Sequence, residues 1–182
     1  MTILPLTTAK SNLEQLLTPA VPFHFTDHNI GETLQLCKDM VESLYHYNGL
    51  GISANQLGLP WSIFAMRGDP EDFVLFNPRI VHMSPEQDIM EEGCLSWPGL
   101  QVKMKRAIEI RLRFSGPDNN VISTTFKNIT SRVVQHEMLH LQGKMWFDGC
   151  SRLHLEPALR RALNKGYDYS NMGLLKHVKK AS

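Results

Sequence analysis

Two histidines four residues apart, in His136-Glu137-Met138-Leu139-His140, restrict this chain more than any other stretch. On a helix that spacing puts both imidazoles on one face, one turn apart, where they reach a single metal ion. Glu137 then points at the open side of that ion. Ile129 and Val133 continue the helical period upstream, and Gly143 ends it. A helix that carries ligands and apolar neighbours together belongs in the interior of a fold. The pattern is that of metal-assisted hydrolysis.

The rest of the chain supplies strands to surround that helix. Residues 62–66 and 73–76 are short apolar runs split by Arg67-Gly68-Asp69-Pro70, a turn signal, and they read as buried strands. Residues 79–83 continue the sheet beyond Pro78. In 107–114, Ile108, Ile110, Leu112 and Phe114 share one face and Glu109, Arg111 and Arg113 the other, which marks a strand with one solvated face. Gly116-Pro117-Asp118-Asn119-Asn120 turns the chain into a partner strand at 121–127. Ahead of these, Ile30, Leu34, Cys37, Val41 and Leu44 recur at helical spacing, so 29–47 reads as a helix with Asp27 as N-cap and Gly49 as terminator. Residues 157–164 form a last short helix with Pro157 in its first turn. The order predicts an α+β fold, with mainly antiparallel strands packed around a central motif-bearing helix and a further helix near the N-terminus. No repeat or linker divides the 182 residues, so 1–182 reads as one catalytic domain, with 166–182 as a flexible C-terminal tail.

A formal net charge of +1 gives no reason to expect a direct nucleic-acid site or an anionic membrane surface. No apolar run nears the roughly 20 residues that cross a bilayer. The N-terminal stretch lacks a basic segment followed by an apolar core, so it reads as the mature chain of a cytoplasmic protein. Three cysteines at wide spacing make a poor disulfide framework and suit a reducing compartment, where a thiolate is free to bind metal. Cys37 falls in a helical pattern as a small core residue, and Cys150 follows Gly149 near a strand end without a role. Cys94 with His136 and His140 makes three protein ligands and leaves a fourth position for water, as in a catalytic site. Glu137 would take a proton from that water and deliver it to a departing amine. Thiolate and imidazole suit Zn²⁺ and Fe²⁺ about equally.

Three segments carry polar or special residues without a packing reason. They are Gly49-Leu50-Gly51-Ile52-Ser53-Ala54-Asn55-Gln56, Glu92-Gly93-Cys94-Leu95-Ser96, and Gln135-His136-Glu137-Met138-Leu139-His140-Leu141-Gln142-Gly143. In order and content they resemble the three motifs of peptide deformylases, GxGxAAxQ, EGCLS and QHExDHLxG. The likeness extends over most of the chain from the first helix onward. It implies hydrolysis of the formamide on N-formylmethionine at the start of newly made polypeptides. It assigns the same three ligands, with Fe²⁺ as the ion and Zn²⁺, Ni²⁺ or Co²⁺ able to replace it. It makes Glu137 the general acid and base, and the Gln56 side-chain amide and Leu95 backbone N–H the donors to a developing oxyanion. A methionine side chain needs an apolar pocket and the following residues a strand edge. Gly49, Leu50, Gly51 and Ile52, then Trp97 and Gly99, and Val133 one turn before His136, are candidates for pocket and rim. Gly51 allows close approach of the backbone. Lys176, His177, Lys179 and Lys180 admit the transient ribosome contact that the family suggests, but so small a cluster reads first as a solvated tail.

The chain departs from the motifs at three positions. Ser53 stands for an alanine, Asn55 for a frequent proline, and Leu139 for the aspartate that usually precedes the second metal-binding histidine. The resemblance implies that this aspartate pairs with a basic residue, here Arg106, which then needs another acceptor or solvent. Two other readings stay open. A zincin-type endopeptidase shares His-Glu-x-x-His but takes its third ligand downstream of the helix. A non-catalytic deformylase-like protein would bind metal or nascent chains without turnover.

Overall fold

A computed structural model of the chain describes residues 2–177. Its strands in chain order are β1 (Gly51–Ser53), β2 (Ile63–Met66), β3 (Phe73–Met83), β4 (Gln87–Cys94), β5 (Trp97–Ala107), β6 (Glu109–Ser115) and β7 (Val121–Lys127). Its α-helices are α1 (Leu13–Leu17), α2 (Ile30–His46), α3 (Asn128–Leu141) and α4 (Arg152–Asn164). Five strands form an antiparallel sheet in the order β1-β2-β3-β6-β7, while β4 and β5 pair as a separate hairpin. The motif helix α3 lies between sheet and hairpin and touches β1, β2, β5, β6 and β7. The fold is therefore α+β, with antiparallel strands around the motif-bearing helix.

The core divides into three layers around that helix. Phe64, Met66, Leu75, Ile110, Leu112 and Val134 fill the space between sheet and α3. Met40 and Leu44 of α2 close on Ile52, Ile63 and Phe76 from the other face. Trp97, Leu100, Val102 and Met104 of β5 pack on Trp146, Phe147, Leu155 and Ala158. Each large apolar side chain so buried contributes about 1.5–3 kcal/mol. In β6 the alternation holds, since Ile110, Leu112 and Phe114 are buried and Arg111 and Arg113 exposed.

Several expectations need correction. The N-cap of α2 is Asn29 rather than Asp27, because Asn29 and Glu32 exchange side-chain and backbone hydrogen bonds in a capping box. Its stop is Asn48, at φ 55°, rather than Gly49. Gly49 instead permits packing, as a Cβ there would meet Leu95 Cδ1 at 2.9 Å. Ile30 and Leu34 are exposed, and the buried stripe runs through Thr33, Met40, Ser43 and Leu44. The hairpin β4–β5 had no counterpart in the sequence reading, and neither did α1. Helix α4 starts at Arg152, so Pro157 lies inside it and removes one backbone donor. Cys150 sits in the core after a turn, not at a strand end. Residues 166–177 do not behave as a free tail, for Tyr169 and Leu174 are buried and the Tyr169 hydroxyl donates to the Pro98 carbonyl at 2.7 Å. Lys179 and Lys180 lie outside the described residues, as do the side chains of Lys176 and His177. Among the described residues no helix is long and apolar enough to cross a membrane.

Candidate metal centre and active site

A buried helix must have its polar side chains satisfied, and α3 meets that condition residue by residue. Gln135 grips the end of β5, accepting from Ala107 N–H at 3.1 Å and donating to the Ala107 carbonyl at 2.9 Å. Ser131 donates to the same carbonyl at 2.8 Å. At the other end Asn55 Nδ2 donates to the His140 carbonyl at 2.7 Å. Ser53 Oγ lies 2.8 Å from Asn55 Oδ1 and 3.0 Å from Gln56 Oε1. Two of the motif departures thus act as a pair, since Ser53 orients Asn55 and Asn55 ties down the end of the helix. Behind this loop the N-terminal segment crosses the back of the site. There Thr7 N–H donates to the Gln56 carbonyl at 2.7 Å and Ala9 N–H to the Ser96 carbonyl at 2.8 Å.

Cys94 Sγ, at the end of β4, lies 3.2 Å from His140 Nε2. One ligand atom each from Cys94, His136 and His140 falls within 4.8 Å of the others. A tetrahedral ion with bonds of about 2.3 Å to sulfur and 2.0–2.1 Å to nitrogen separates its ligands by roughly 3.4 Å, so the group fits one ion after small shifts. Among the described residues no fourth Cys, His, Asp or Glu joins them. Burial holds both imidazoles below the ordinary histidine pKa, His140 well below it with the charges of His136 and Arg106 adding. Both rings are therefore neutral near pH 7, the form that binds metal. Burial, and then the Glu137 charge, push the Cys94 thiol far up, so its ionisation calls for a cation on the sulfur.

Glu92 organises the rear of the centre. Its carboxylate accepts from Arg106 Nε at 2.9 Å and Nη2 at 2.8 Å, and from Arg132 Nη1 at 2.6 Å. His136 Nδ1 stands 3.1 Å from Glu92 Oε2. With Glu92 ionised, Nδ1 is the donor and Nε2 is left free, the tautomer a metal would need of this ring. Arg106 also donates to the Trp146 carbonyl, and Arg132 to the Met104 carbonyl and to Asp88. Burial opposes the Glu92 charge, but hydrogen bonds from Arg106 and His136 and their charges outweigh it and bring the pKa down to about 2. Arg106 is thus no orphan despite Leu139. The sequence reading missed Glu92 in this role, together with Arg132 and the Trp146 ring stacked on His136 at 5.2 Å. The only signal was that Glu92 opens the motif holding Cys94.

Glu137 faces the same space from α3. Burial raises its pKa to about 8 against a hydrogen bond from Ser53, and Oε2 has no partner. Gln56 Oε1 accepts from Ser53 N–H at 2.9 Å, which turns Nε2 toward Ser96 Oγ at 2.9 Å and Cys94 Sγ at 3.5 Å. The amide therefore presents its donor side to the metal position. A cleft of about 470 Å³ opens over these groups, a size typical of ligand pockets. Gly49, Leu50, Gly51 and Val133, candidates for pocket and rim, line it together with Met90, Leu95, Pro98, Ile129 and Arg132. A Cβ on Gly51 would meet Glu137 Oε1 at 2.6 Å. Three expected pocket residues do not reach the cleft. Ile52 is fully buried beneath it, and Trp97 packs on Phe147 and Tyr169 in the core. Gly99, at φ 75°, lies under the Tyr167 ring.

The cysteine that could complete such a centre thus lies on a strand upstream of the helix, whereas a zincin-type endopeptidase takes its third ligand downstream. The profile described as polypeptide deformylase matches residues 5–156. A peptide deformylase of Thermotoga petrophila is 32% identical over 146 residues, covering 80% of this chain and 84% of the relative. One of Pseudothermotoga lettingae is 38% identical over 116 residues, 64% of this chain and 67% of its own. Among solved structures, a peptide deformylase from Synechococcus elongatus in complex with actinonin superposes with a TM-score of 0.78 at 25% identity, covering 98% of this chain and 91% of that one. A class I type b peptide deformylase from Acinetobacter baumannii with Met-Ala-Ser bound gives 0.73 at 27% identity, over 80% and 98%. With sequence, fold and the upstream cysteine in agreement, this chain belongs to the polypeptide deformylase family.

Proposed function

We propose that this chain removes the formyl group from N-formylmethionine at the start of new polypeptides, releasing formate and a free α-amine. The observation that carries this reading is the convergence of Cys94, His136 and His140 on one point, with Glu137 and the Gln56 amide facing the same space. Cys94 Sγ and the two imidazoles would hold the ion, which is Fe²⁺ by family resemblance, with Zn²⁺, Ni²⁺ or Co²⁺ as substitutes. The ion, when bound, supplies Lewis acidity that polarises a carbonyl and acidifies a water molecule.

The residues of the chain do the rest. Glu137 takes the proton of the attacking water and hands it to the amine nitrogen as the C–N bond breaks. Gln56 Nε2, with the Leu95 backbone N–H, donates to the oxygen on which negative charge develops. β1 ends one sheet and β4 borders the hairpin, so the cleft between them offers two strand edges to an extended peptide. Met90, Ile129 and Val133 give the methionine side chain an apolar wall. That the Acinetobacter relative binds Met-Ala-Ser supports a methionyl peptide as the occupant. A cytoplasmic setting suits the free thiol, and transient contact with the ribosome would bring the enzyme to its substrate.

The test is formate release from formyl-Met-Ala-Ser by protein loaded anaerobically with Fe²⁺, with the metal measured in the same sample. Glu137→Ala should retain metal and lose turnover by about 10²–10⁴-fold. Absence of formate from the loaded parent would favour a non-catalytic binder. Unchanged turnover in a loaded Glu137→Ala would remove the assigned acid and base.

A further inference from the structure

The cleft has a direction, and just beyond its far end a cation, Arg67, bonds the Asn48 side chain that lines it. Gly51 adjoins Glu137, so the formyl end of a peptide belongs there. Beyond Gly51 the chain enters the core at Ile52 and Ser53, both fully buried, and a substrate has no path that way. It runs instead past Leu50 and Gly49 to Asn48, which also lines the cleft. Three extended residues span about 10 Å, so the third residue of the substrate arrives beside Asn48.

Arg67 stands at this end. Its backbone N–H donates to the Leu50 carbonyl at 2.9 Å, which places it next to Leu50 across the strand. Its guanidinium lies over the Tyr45 ring at 4.4 Å, and Nη2 donates to Asn48 Oδ1 at 3.3 Å. Among the described residues it forms no ion pair, and its buried Nε has no partner. Of the acids around it, Asp69 and Glu71 of the following loop are exposed, and two others have partners. Asp72 accepts from the Tyr45 hydroxyl at 3.3 Å and from Gly68 N–H at 3.2 Å, and Glu91 on the opposite wall pairs with Arg161 at 2.9 Å. A guanidinium braced on a ring face is a preorganised fork for a carboxylate.

We infer that Arg67, braced by Tyr45 and Asn48, is a carboxylate-binding site that makes the chain favour formylated peptides with Asp or Glu as third residue. The inference rests on the deformylase reading. Its test compares kcat/KM of the metal-loaded full chain on amide-capped formyl-Met-Ala-Asp, formyl-Met-Ala-Asn and formyl-Met-Ala-Lys. The Asp peptide should exceed the Asn peptide roughly fivefold at low salt, with Lys lowest. The ratio of Asp to Asn should fall toward one in about 0.5 M salt and in Arg67→Met. A ratio of one in the parent, a ratio indifferent to salt, or a preference that survives in Arg67→Met overturns the assignment. The salt series uses the parent alone and decides even where the variant fails to fold. No formate from any of the three peptides would overturn the deformylase reading instead.

Discussion

At the scale of single residues, space beside Glu137 is the tightest constraint. Gly51 has no side chain because one would collide with Glu137 Oε1 at 2.6 Å and Val133 Cγ1 at 2.7 Å. Its φ lies outside the left-handed region, so alanine meets no backbone penalty there. Gly51→Ala should therefore fold with a lowered melting temperature, since overpacking against Val133 costs about 1–3 kcal/mol, and lose at least tenfold in kcat for formate release through a displaced carboxylate. A tenfold loss corresponds to about 1.4 kcal/mol of transition-state stabilisation. The meeting of His136, Glu137 and His140 was legible in the sequence because a helical spacing of four brings them together locally, whereas the arrival of Cys94 beside them was not. Nor was the meaning of the departures. Ser53, Asn55 and His140 are joined by side-chain bonds across 85 residues, which no periodicity records. The acceptor for Arg106 was equally hidden, since Glu92 reaches it only after β4 and β5 pair.

At the scale of elements, the hairpin β4–β5 presents Cys94 to the helix, and Glu92 joins the two. The hairpin was illegible because residues 84–106 mix Met, Lys and Glu with few β-branched residues, although Leu100, Val102 and Met104 do alternate inward. The carboxyl of Glu92 sits at about 2 in the fold against 4.5 unfolded. Such a depressed acid stabilises the native state fully above about pH 4.5 and loses that contribution as pH falls through 2. The difference amounts to about 3 kcal/mol. Glu92→Gln strands Arg106 and Arg132 without a counter-charge and should cost about 3–5 kcal/mol near pH 7. Urea unfolding at several pH values should show parent and variant converging as pH falls from 5 toward 2. A gap constant over that range would mean that the carboxylate charge contributes nothing.

At the scale of the whole molecule, three apolar layers enclose a helix that keeps an acid, two imidazoles and a thiol out of bulk water. Holding them there without an ion has a cost that depends on pH. Glu137 titrates near 8 in the fold and near 4.5 unfolded, so between those values the native state binds the extra proton and stability falls as pH rises. Metal-stripped Glu137→Gln should match the stripped parent at pH 4–5 and exceed it by a few kcal/mol at pH 8, as read by denaturant unfolding. Equal stability of the two at pH 8 would place Glu137 in a wetter setting than the fold suggests. The α+β class and the single central helix were readable from the order of periods along the chain. Packing of 166–177 was not, because Tyr169 and Leu174 reach the core from a stretch without periodicity. The opening residues are the other surprise. Thr7 and Ala9 fasten the Gln56 loop to the Ser96 turn with two backbone bonds, like a clasp over a seam. Clipping the first nine residues, or hanging a bulky fusion on them, would then slacken the amide that greets the carbonyl, giving a sluggish catalyst whose metal content is unaltered.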